Sequence, residues 1–138
     1  MELCYKEFVE KVKECPPSHF KGLDCISFRW VFDSIDNEEN FIPPGIKNPK
    51  RLNEKKNDYC SLLAISFFNS EAKARQRFNI LKEQIGGNIS VTLGTKIAQG
   101  HLINEDGVGE DASSSGHFDF HPEKNYNFNK KFKILSTL

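Results

Sequence analysis

The segment ISFRWVF, residues 26–32, constrains the fold of this chain more than any other stretch. Its residues are mostly aromatic or β-branched, and successive side chains of an extended strand lie on opposite faces. One face then carries four apolar side chains, namely Ile26, Phe28, Trp30 and Phe32. The other face carries Arg29, whose charge needs an anion, an ion partner or a path to solvent. The sequence therefore predicts a strand here, and with it a β-sheet.

Periodicity and turn residues predict the other elements along the chain. A first helix is predicted over residues 2–15, and Pro16 ends it. The apolar block at 59–68 predicts a buried strand, and its periodicity also fits the start of a helix. A second helix, capped by Asn69 or Ser70, is predicted to run to about Ile85. The remaining predictions are a hairpin with arms at 88–93 and 96–103 joined at Gly94-Thr95, a strand at 117–121 and a strand at 132–135.

Helix, strand, strand, helix and then several strands is an order typical of an α+β domain. We expect one domain over residues 1–138, with a mostly antiparallel sheet of about five strands and two helices packed on one face. Apolar residues make up 38% and aromatic residues 12% of the chain, which excludes a fully disordered polypeptide. Polar composition predicts long loops at about 33–58 and 104–116, and a loop as long as the first often contacts a partner.

The formal net charge is zero, because 19 basic residues balance 19 acidic ones. Binding to duplex nucleic acid or to an anionic membrane depends on a basic excess, so we expect neither an extended duplex nor a membrane as partner. The charges are segregated along the chain: basic residues gather at 47–56, 70–85 and 124–133, and acids at 33–39 and 105–111. This polarity suits a charged protein partner and allows a nucleotide or other phosphorylated ligand.

The four cysteines are Cys4, Cys15, Cys25 and Cys60, and no two of them form a C-x-x-C pair. This spacing does not support a zinc framework, so we expect free thiols and neither a metal nor a cofactor. The N-terminal segment is charged throughout and has no apolar stretch of signal-peptide length. Because unpaired thiols persist in a reducing compartment, the predicted location is cytoplasmic.

The pattern HFDFH, residues 117–121, is the sharpest local motif. In a strand its two phenylalanines face the core, while His117, Asp119 and His121 project together on the opposite face. Two imidazoles and a carboxylate on one surface fit a general acid/base pair or a divalent metal. They also fit the polar outer face that any half-buried strand needs. We take these three residues as candidate catalytic residues, and His101 joins them if its strand is a neighbour.

A second set of candidates is basic. Arg29 in the apolar strand, together with Lys50 and Arg51, forms the predicted anion-binding set. The last two belong to the loop cluster Lys47, Lys50, Arg51, Lys55 and Lys56. Such a cluster fits a nucleotide phosphate or single-stranded nucleic acid, and it equally fits a solvated loop.

The order of three residues resembles that of RES-type and ADP-ribosyltransferase-like NAD-consuming domains. Arg29 lies in an early strand, Arg51 follows a proline-rich loop, and an apolar strand ends at Ser66 before an amphipathic helix. The resemblance covers about residues 26–80 and implies an anion-binding cleft. The catalytic glutamate and the glycine-arginine signature of these families are not evident in this sequence.

These observations favour a small cytoplasmic, microbial interaction or regulatory module that acts within a protein complex. The alternative is a compact enzyme that acts on a nucleotide, an NAD-like or another phosphorylated substrate. In that enzyme Arg29 and Arg51 bind phosphate, and the polar face of HFDFH moves protons. A third possibility is a metal-dependent hydrolase that uses the same histidines.

Overall fold

Six antiparallel strands form one sheet in the computed structural model, which describes residues 1–54 and 58–138. The strands are β1 (Cys25–Val31), β2 (Ile65–Phe68), β3 (Lys96–Leu102), β4 (Gly107–Gly109), β5 (His117–Pro122) and β6 (Lys133–Thr137). Their order across the sheet is β4-β5-β2-β1-β3-β6. The α+β class and the antiparallel sheet are confirmed, with six strands in place of about five.

The helices are α1 (Lys6–Val9), α2 (Pro44–Lys47), α3 (Tyr59–Leu62), α4 (Glu71–Ile85), α5 (Ile89–Leu93) and α6 (Phe128–Lys131). Three 3₁₀ segments lie at Glu38–Phe41, Pro49–Asn53 and Asn104–Asp106. Only α4 is long, at 15 residues, and the Ser70 hydroxyl caps it by accepting a hydrogen bond from the Lys73 amide at 3.1 Å. The described chain thus has one long helix and five short ones where two were expected.

Phenylalanines fill one face of the sheet. The ring of Phe67 in β2 stacks on that of Phe132 with centroids 5.4 Å apart, and edges of Phe120 and Phe128 close around it. Phe132 also packs on Gly100, where a Cβ atom would come within 2.6 Å of its ring. This layer comprises Leu23, Val31, Phe41, Ile65, Phe67, Ala98, Leu102, Phe118, Phe120, Phe128 and Phe132.

Helix α4 covers part of the opposite face. Its Ala74 is fully buried against Phe68 and Ile97, and the Trp30 indole donates a hydrogen bond to the Ala74 carbonyl at 2.9 Å. The expectation of helices on one face holds for α4 alone, because Phe128 of α6 belongs to the phenylalanine layer on the other side. Both faces of the sheet are therefore covered in part.

The predicted first arm of the hairpin, residues 88–93, is wrong: this segment is helix α5. A strand would place Ile89, Val91 and Leu93 on one face, whereas a helix aligns only the first and the last. Ile89 is 2% exposed and Val91 is 78% exposed, as the helix requires. Gly94 ends it at φ 117°, where its backbone crosses Val31 so closely that a Cβ atom would meet the carbonyl oxygen at 2.4 Å.

Of the helix predicted over 2–15, only Lys6–Val9 is helical. The residues just before it contact strand β5 instead. Cys4 donates its amide to the Pro122 carbonyl at 2.9 Å, and Tyr5 turns the chain with φ 59°. The sequence predicts a buried strand at the apolar block 59–68, with the start of a helix as the alternative. The structure has both, since α3 occupies Tyr59–Leu62 and β2 occupies Ile65–Phe68. Asp58 starts α3 by accepting a hydrogen bond from the Ser61 amide at 3.1 Å.

The loops are more structured than composition indicated. Asn40, 2% exposed, holds the first half of 33–58 together: its Oδ1 accepts from the Phe32 amide, and its Nδ2 donates to two backbone carbonyls. The loop at 104–116 contains β4, which has only three residues, two of them glycine. At the other edge the pairing of β3 with β6 shifts register between Ile97 and Ala98. Among residues 1–54 and 58–138, no helix has the length and apolarity that crossing a bilayer requires.

Replacing Phe67 with Ala tests the phenylalanine layer. We expect the free energy of unfolding to fall by about 3–5 kcal/mol, because a fully buried ring is lost and four neighbours cannot fill its space. Urea unfolding followed by circular dichroism measures the change. The control is Val91→Ala, at a position 78% exposed, where we expect a change within about 0.5 kcal/mol. Equal effects of the two substitutions would contradict this packing.

Candidate functional site

The strand predicted at 117–121 is confirmed as β5, and its phenylalanine and polar side chains alternate between the two faces of the sheet as predicted. Phe118 and Phe120 are 2% and 0% exposed in the phenylalanine layer, so the polar residues between them face the other way. Antiparallel pairing sets Asp119 opposite Ser66 of β2. The His117 Nε2 atom lies 3.0 Å from the Ser66 hydroxyl and 3.6 Å from Asp119 Oδ1.

These three residues are not arranged as a Ser-His-Asp triad. In a triad the carboxylate holds one ring nitrogen of the histidine, and the other nitrogen takes the proton from serine. Here Ser66 and Asp119 both approach the same nitrogen, Nε2 of His117. Activation of Ser66 as a nucleophile is therefore not supported by this arrangement.

His121, the last residue of the motif, is 1% exposed and faces two sulfur atoms. Its Nε2 lies 3.5 Å from Cys60 Sγ and 4.0 Å from Cys15 Sγ. The ring of Phe20 packs against it with centroids 5.7 Å apart. Burial lowers the pKa of His121 to about 4, so the imidazole is neutral at pH 7.

Cys15 and Cys60 form a disulfide, with Cα atoms 5.5 Å apart. The expectation of four free thiols is therefore wrong for these two and right for Cys4 and Cys25. No local pattern could indicate the bond, because its cysteines are 45 positions apart and meet only when α3 packs beside the segment after α1. The bond ties the N-terminal segment to helix α3 beside His121.

A cavity of about 770 Å³ opens around this group. Its walls come from three parts of the chain that lie far apart in sequence: residues 12–20, the start of α3, and the polar side chains of β5 with Glu110. Four of the lining side chains are acidic, namely Glu14, Asp58, Glu110 and Asp119. Sequence reasoning found only the last of them, because the others become neighbours through tertiary contacts alone.

Two buried polar atoms of the motif have no hydrogen-bond partner within the described residues: Asp119 Oδ1 and His121 Nδ1. Burial raises the pKa of Asp119, while the Ser61 hydroxyl and His117 lower it by a smaller amount. Buried polar groups are normally satisfied, so unpartnered ones at a cavity indicate a place for a ligand.

The basic candidates lie elsewhere. Arg29 reaches the phenylalanine face, where its Nε donates to the Asn40 carbonyl at 2.7 Å and its Nη1 to the Ser66 carbonyl at 2.8 Å. Its guanidinium carbon lies 5.9 Å from the centre of the Phe41 ring. Burial lowers the pKa of Arg29 to about 10, which leaves it charged at neutral pH. Its charge-bearing head group therefore links the 3₁₀ segment Glu38–Phe41 to strand β2 through their backbone carbonyl oxygens.

The other predicted site residues do not join the cavity. Lys50 and Arg51 are exposed on the 3₁₀ segment Pro49–Asn53, and neither is among the residues that line the cavity. Lys55 and Lys56 lie outside the described residues. His101 pairs with Asp24 on β3, three places from β5 in the sheet. The arginines and the HFDFH face thus do not converge on one cleft.

His117 faces a second, smaller cleft of about 330 Å³ between the sheet and α4. Trp30 and Phe68 supply its aromatic surface, while Arg77, Ser66 and His117 supply polar groups. The polar face of HFDFH is therefore divided between two clefts, since Asp119 and His121 line the larger one and His117 lines the smaller.

Comparison with protein-family models, with curated proteins and with solved structures finds no significant match to this chain. Functional inference therefore depends on the geometry of the two clefts.

The disulfide gives a direct prediction. In the oxidised protein, we expect peptide mapping after alkylation to recover Cys15 joined to Cys60, with Cys4 and Cys25 alkylated. Replacing both bonded cysteines with Ser should cost about 4 kcal/mol of unfolding free energy in urea, the chain-entropy value for cysteines 45 residues apart. The control is Cys4→Ser with Cys25→Ser. Alkylation of Cys15 in the oxidised protein would contradict the assignment.

Proposed function

We propose that this protein is a small interaction module that binds a basic side chain of a protein partner in the acidic cavity. The observation that carries the proposal is the Asp119 side chain, which lines that cavity and whose buried Oδ1 atom has no hydrogen-bond partner among the described residues. A buried carboxylate oxygen without a donor is costly, and a cationic donor would compensate it best.

The charges of the cavity favour a cation over a phosphate. Glu14, Asp58 and Glu110 line the cavity together with Asp119, while Lys13 is the one lysine or arginine among the lining residues that the structure describes. Negative charges within a few ångströms repel an anion and attract a cation, and a partly enclosed cavity reduces the screening by water. The phosphate-binding alternative therefore finds no support at this end of β5.

The shape and the aromatic surfaces of the cavity fit a guanidinium or ammonium group. Phe20 and Tyr59 contribute rings to the lining, and the faces of aromatic rings attract cations. Arginine also donates two parallel hydrogen bonds to a carboxylate, which fixes its orientation. A volume of about 770 Å³ holds such a side chain with part of the flanking peptide.

A regulatory role in the cytoplasm is part of this proposal. Disulfides in a reducing cytoplasm are usually those that form and break as redox conditions change. Cys15 and Cys60 both belong to the region around the cavity, and their bond joins two of its walls. Oxidation and reduction would then change the access of a partner to Asp119.

A charged and an uncharged probe of the same shape test this function. We expect N-acetyl-arginine amide to shift the NMR amide signals of Ser61, Asp119 and His121 in a saturable way, because these residues line the cavity. N-acetyl-citrulline amide, which lacks the charge, should bind at least about tenfold more weakly. The experiment uses the oxidised protein without added metal.

Two variants complete that test. Asp119→Asn should weaken arginine binding about tenfold, since it removes the charge at the floor of the cavity. The matched control is Asp36→Asn, an exposed aspartate outside the cavity lining, which should leave the affinity unchanged. Equal affinities for the two probes, or an Asp119→Asn variant that binds like wild type, would count against the proposal.

A second candidate function is a compact enzyme that acts on a nucleotide, and the smaller cleft favours it. Arg77 offers a group for phosphate, Trp30 and Phe68 offer surfaces for a base, and His117 is hydrogen-bonded to the Ser66 hydroxyl at 3.0 Å. In this version His117 moves the proton, and Arg77 takes the phosphate-binding role expected of Arg29 and Arg51.

The single tryptophan of the chain makes this candidate testable, since Trp30 lines the smaller cleft. We expect AMP to quench its fluorescence in a saturable way, and Arg77→Gln to weaken that binding about tenfold. Lys82→Gln, on the same helix but outside the cleft lining, is the control. A linear signal without saturation, identical in the variant, would exclude the nucleotide site.

A further inference from the structure

We propose that the reduced protein binds one zinc ion through the side chains of Cys15, Cys60 and His121. The sequence contains no recognisable zinc spacing, because the three ligands are far apart along the chain. In the fold their ligand atoms all lie within 4.8 Å of one another. The inference is independent of the proposed binding of a basic side chain.

The distances from His121 to the two sulfurs lie on either side of the value that a tetrahedral zinc ion requires. Zinc lies about 2.3 Å from a thiolate sulfur and about 2.0–2.1 Å from an imidazole nitrogen, which places that sulfur about 3.6 Å from that nitrogen. The observed distances from Nε2 are 3.5 Å to Cys60 Sγ and 4.0 Å to Cys15 Sγ. Only the two sulfur atoms must move apart, and they do so when their bond is reduced.

The chemistry of the donor set selects a soft divalent ion. Two thiolates and one neutral imidazole suit zinc, whereas magnesium and calcium prefer sets of oxygen ligands. His121 is buried, and its Nε2 atom already lies beside the two sulfur atoms. Cys60 and His121 both line the large cavity, and the fourth coordination position would face it. Three protein ligands with an open position are typical of zinc sites that bind a further molecule.

The redox step and the binding step balance separately. A dithiol reductant gives two electrons and two protons to the Cys15–Cys60 disulfide, becomes a disulfide itself and leaves two thiols on the protein. Zinc then binds the two thiolates, and the two thiol protons pass to solvent. In the reverse direction, a small-molecule disulfide takes two electrons from the zinc-bound thiolates and two protons from solvent, becomes two thiols, and re-forms the Cys15–Cys60 bond, which releases the ion. The pair thus exchanges a covalent bond for a metal site.

Wild-type protein in its two redox states provides the first test, with no substitution that could prevent folding. The chain, purified without an affinity tag, is reduced with a dithiol and freed of it by anaerobic gel filtration. Cobalt(II) serves as a spectroscopic substitute for zinc. We expect one cobalt per reduced chain, with a thiolate-to-cobalt charge-transfer band that zinc abolishes, and no such band in the oxidised chain.

Variants assign the ligands. His121→Asn should weaken zinc affinity at least about tenfold in competition with a chromophoric chelator, because one of three ligands is lost. His19→Asn, in the same cavity but outside the ligand group, is the matched control, and Cys4→Ser with Cys25→Ser controls for the free thiols. The proposal is overturned if the reduced wild type binds zinc no more tightly than the oxidised form. It is also overturned if cobalt binding survives in the Cys15→Ser, Cys60→Ser variant.

Discussion

The two halves of the sheet meet at β1 and β2, where the backbone ladder is short. Phe28 and Phe68 are the one registered pair between these strands in the described chain, whereas β1 and β3 are paired over seven positions. Side chains supply what the ladder lacks: Arg29 of β1 donates to the carbonyl of Ser66 in β2 at 2.8 Å. Phe67 of β2 stacks on Phe132, which directly precedes β6 in the other half of the sheet. The rest of the structure depends on this junction, because the larger cleft lies on the β2–β5 half and the smaller cleft spans the junction, with Trp30 of β1 beside Ser66 and Phe68 of β2.

The function proposed for the larger cleft follows from how β5 is held. Its phenylalanines are fixed in close-packed surroundings, so the polar side chains between them have little freedom to turn toward water. Asp119 and His121 therefore line a cavity whose other walls are supplied by distant segments, and each of them has a buried polar atom without a hydrogen-bond partner in the described chain. The carboxylate proposed to bind a basic side chain, Asp119, thus lines the same cavity as Cys60 of the Cys15–Cys60 pair proposed to regulate that binding. The two proposals use the same cavity, and each depends on different atoms.

The fold class and strands β1 and β5 could be predicted from the sequence, because alternation is a local property. HFDFH and ISFRWVF read correctly as strands, and the helix from Ser70 to Ile85 was bounded by its cap. Residues 88–93 were misread because Ile89 and Leu93 fit both a strand and one turn of helix. The burial of Ile89 and the exposure of Val91 distinguish the helix from the strand, and both depend on tertiary contacts.

Only the part of the candidate site that local alternation determines could be predicted from the sequence. Asp119 and His121 share a face by local geometry, so the motif revealed them. Cys15, Cys60, Glu14 and Glu110 reach the site only through long-range packing, for which one sequence holds no signal. Arg29 was recognised as unusual, yet its contacts with the Asn40 and Ser66 carbonyls could not be foreseen. Carbonyl oxygens are present at every residue, and their positions depend on the fold alone.

The two edges of the sheet differ from its centre in a way that affects solution behaviour. β4 offers three residues, two of them glycine, and the register shift between β3 and β6 distorts the opposite edge. Strands add to an existing sheet most readily along a long, regular edge, and neither side supplies one. The fold thereby discourages growth by edge-to-edge pairing.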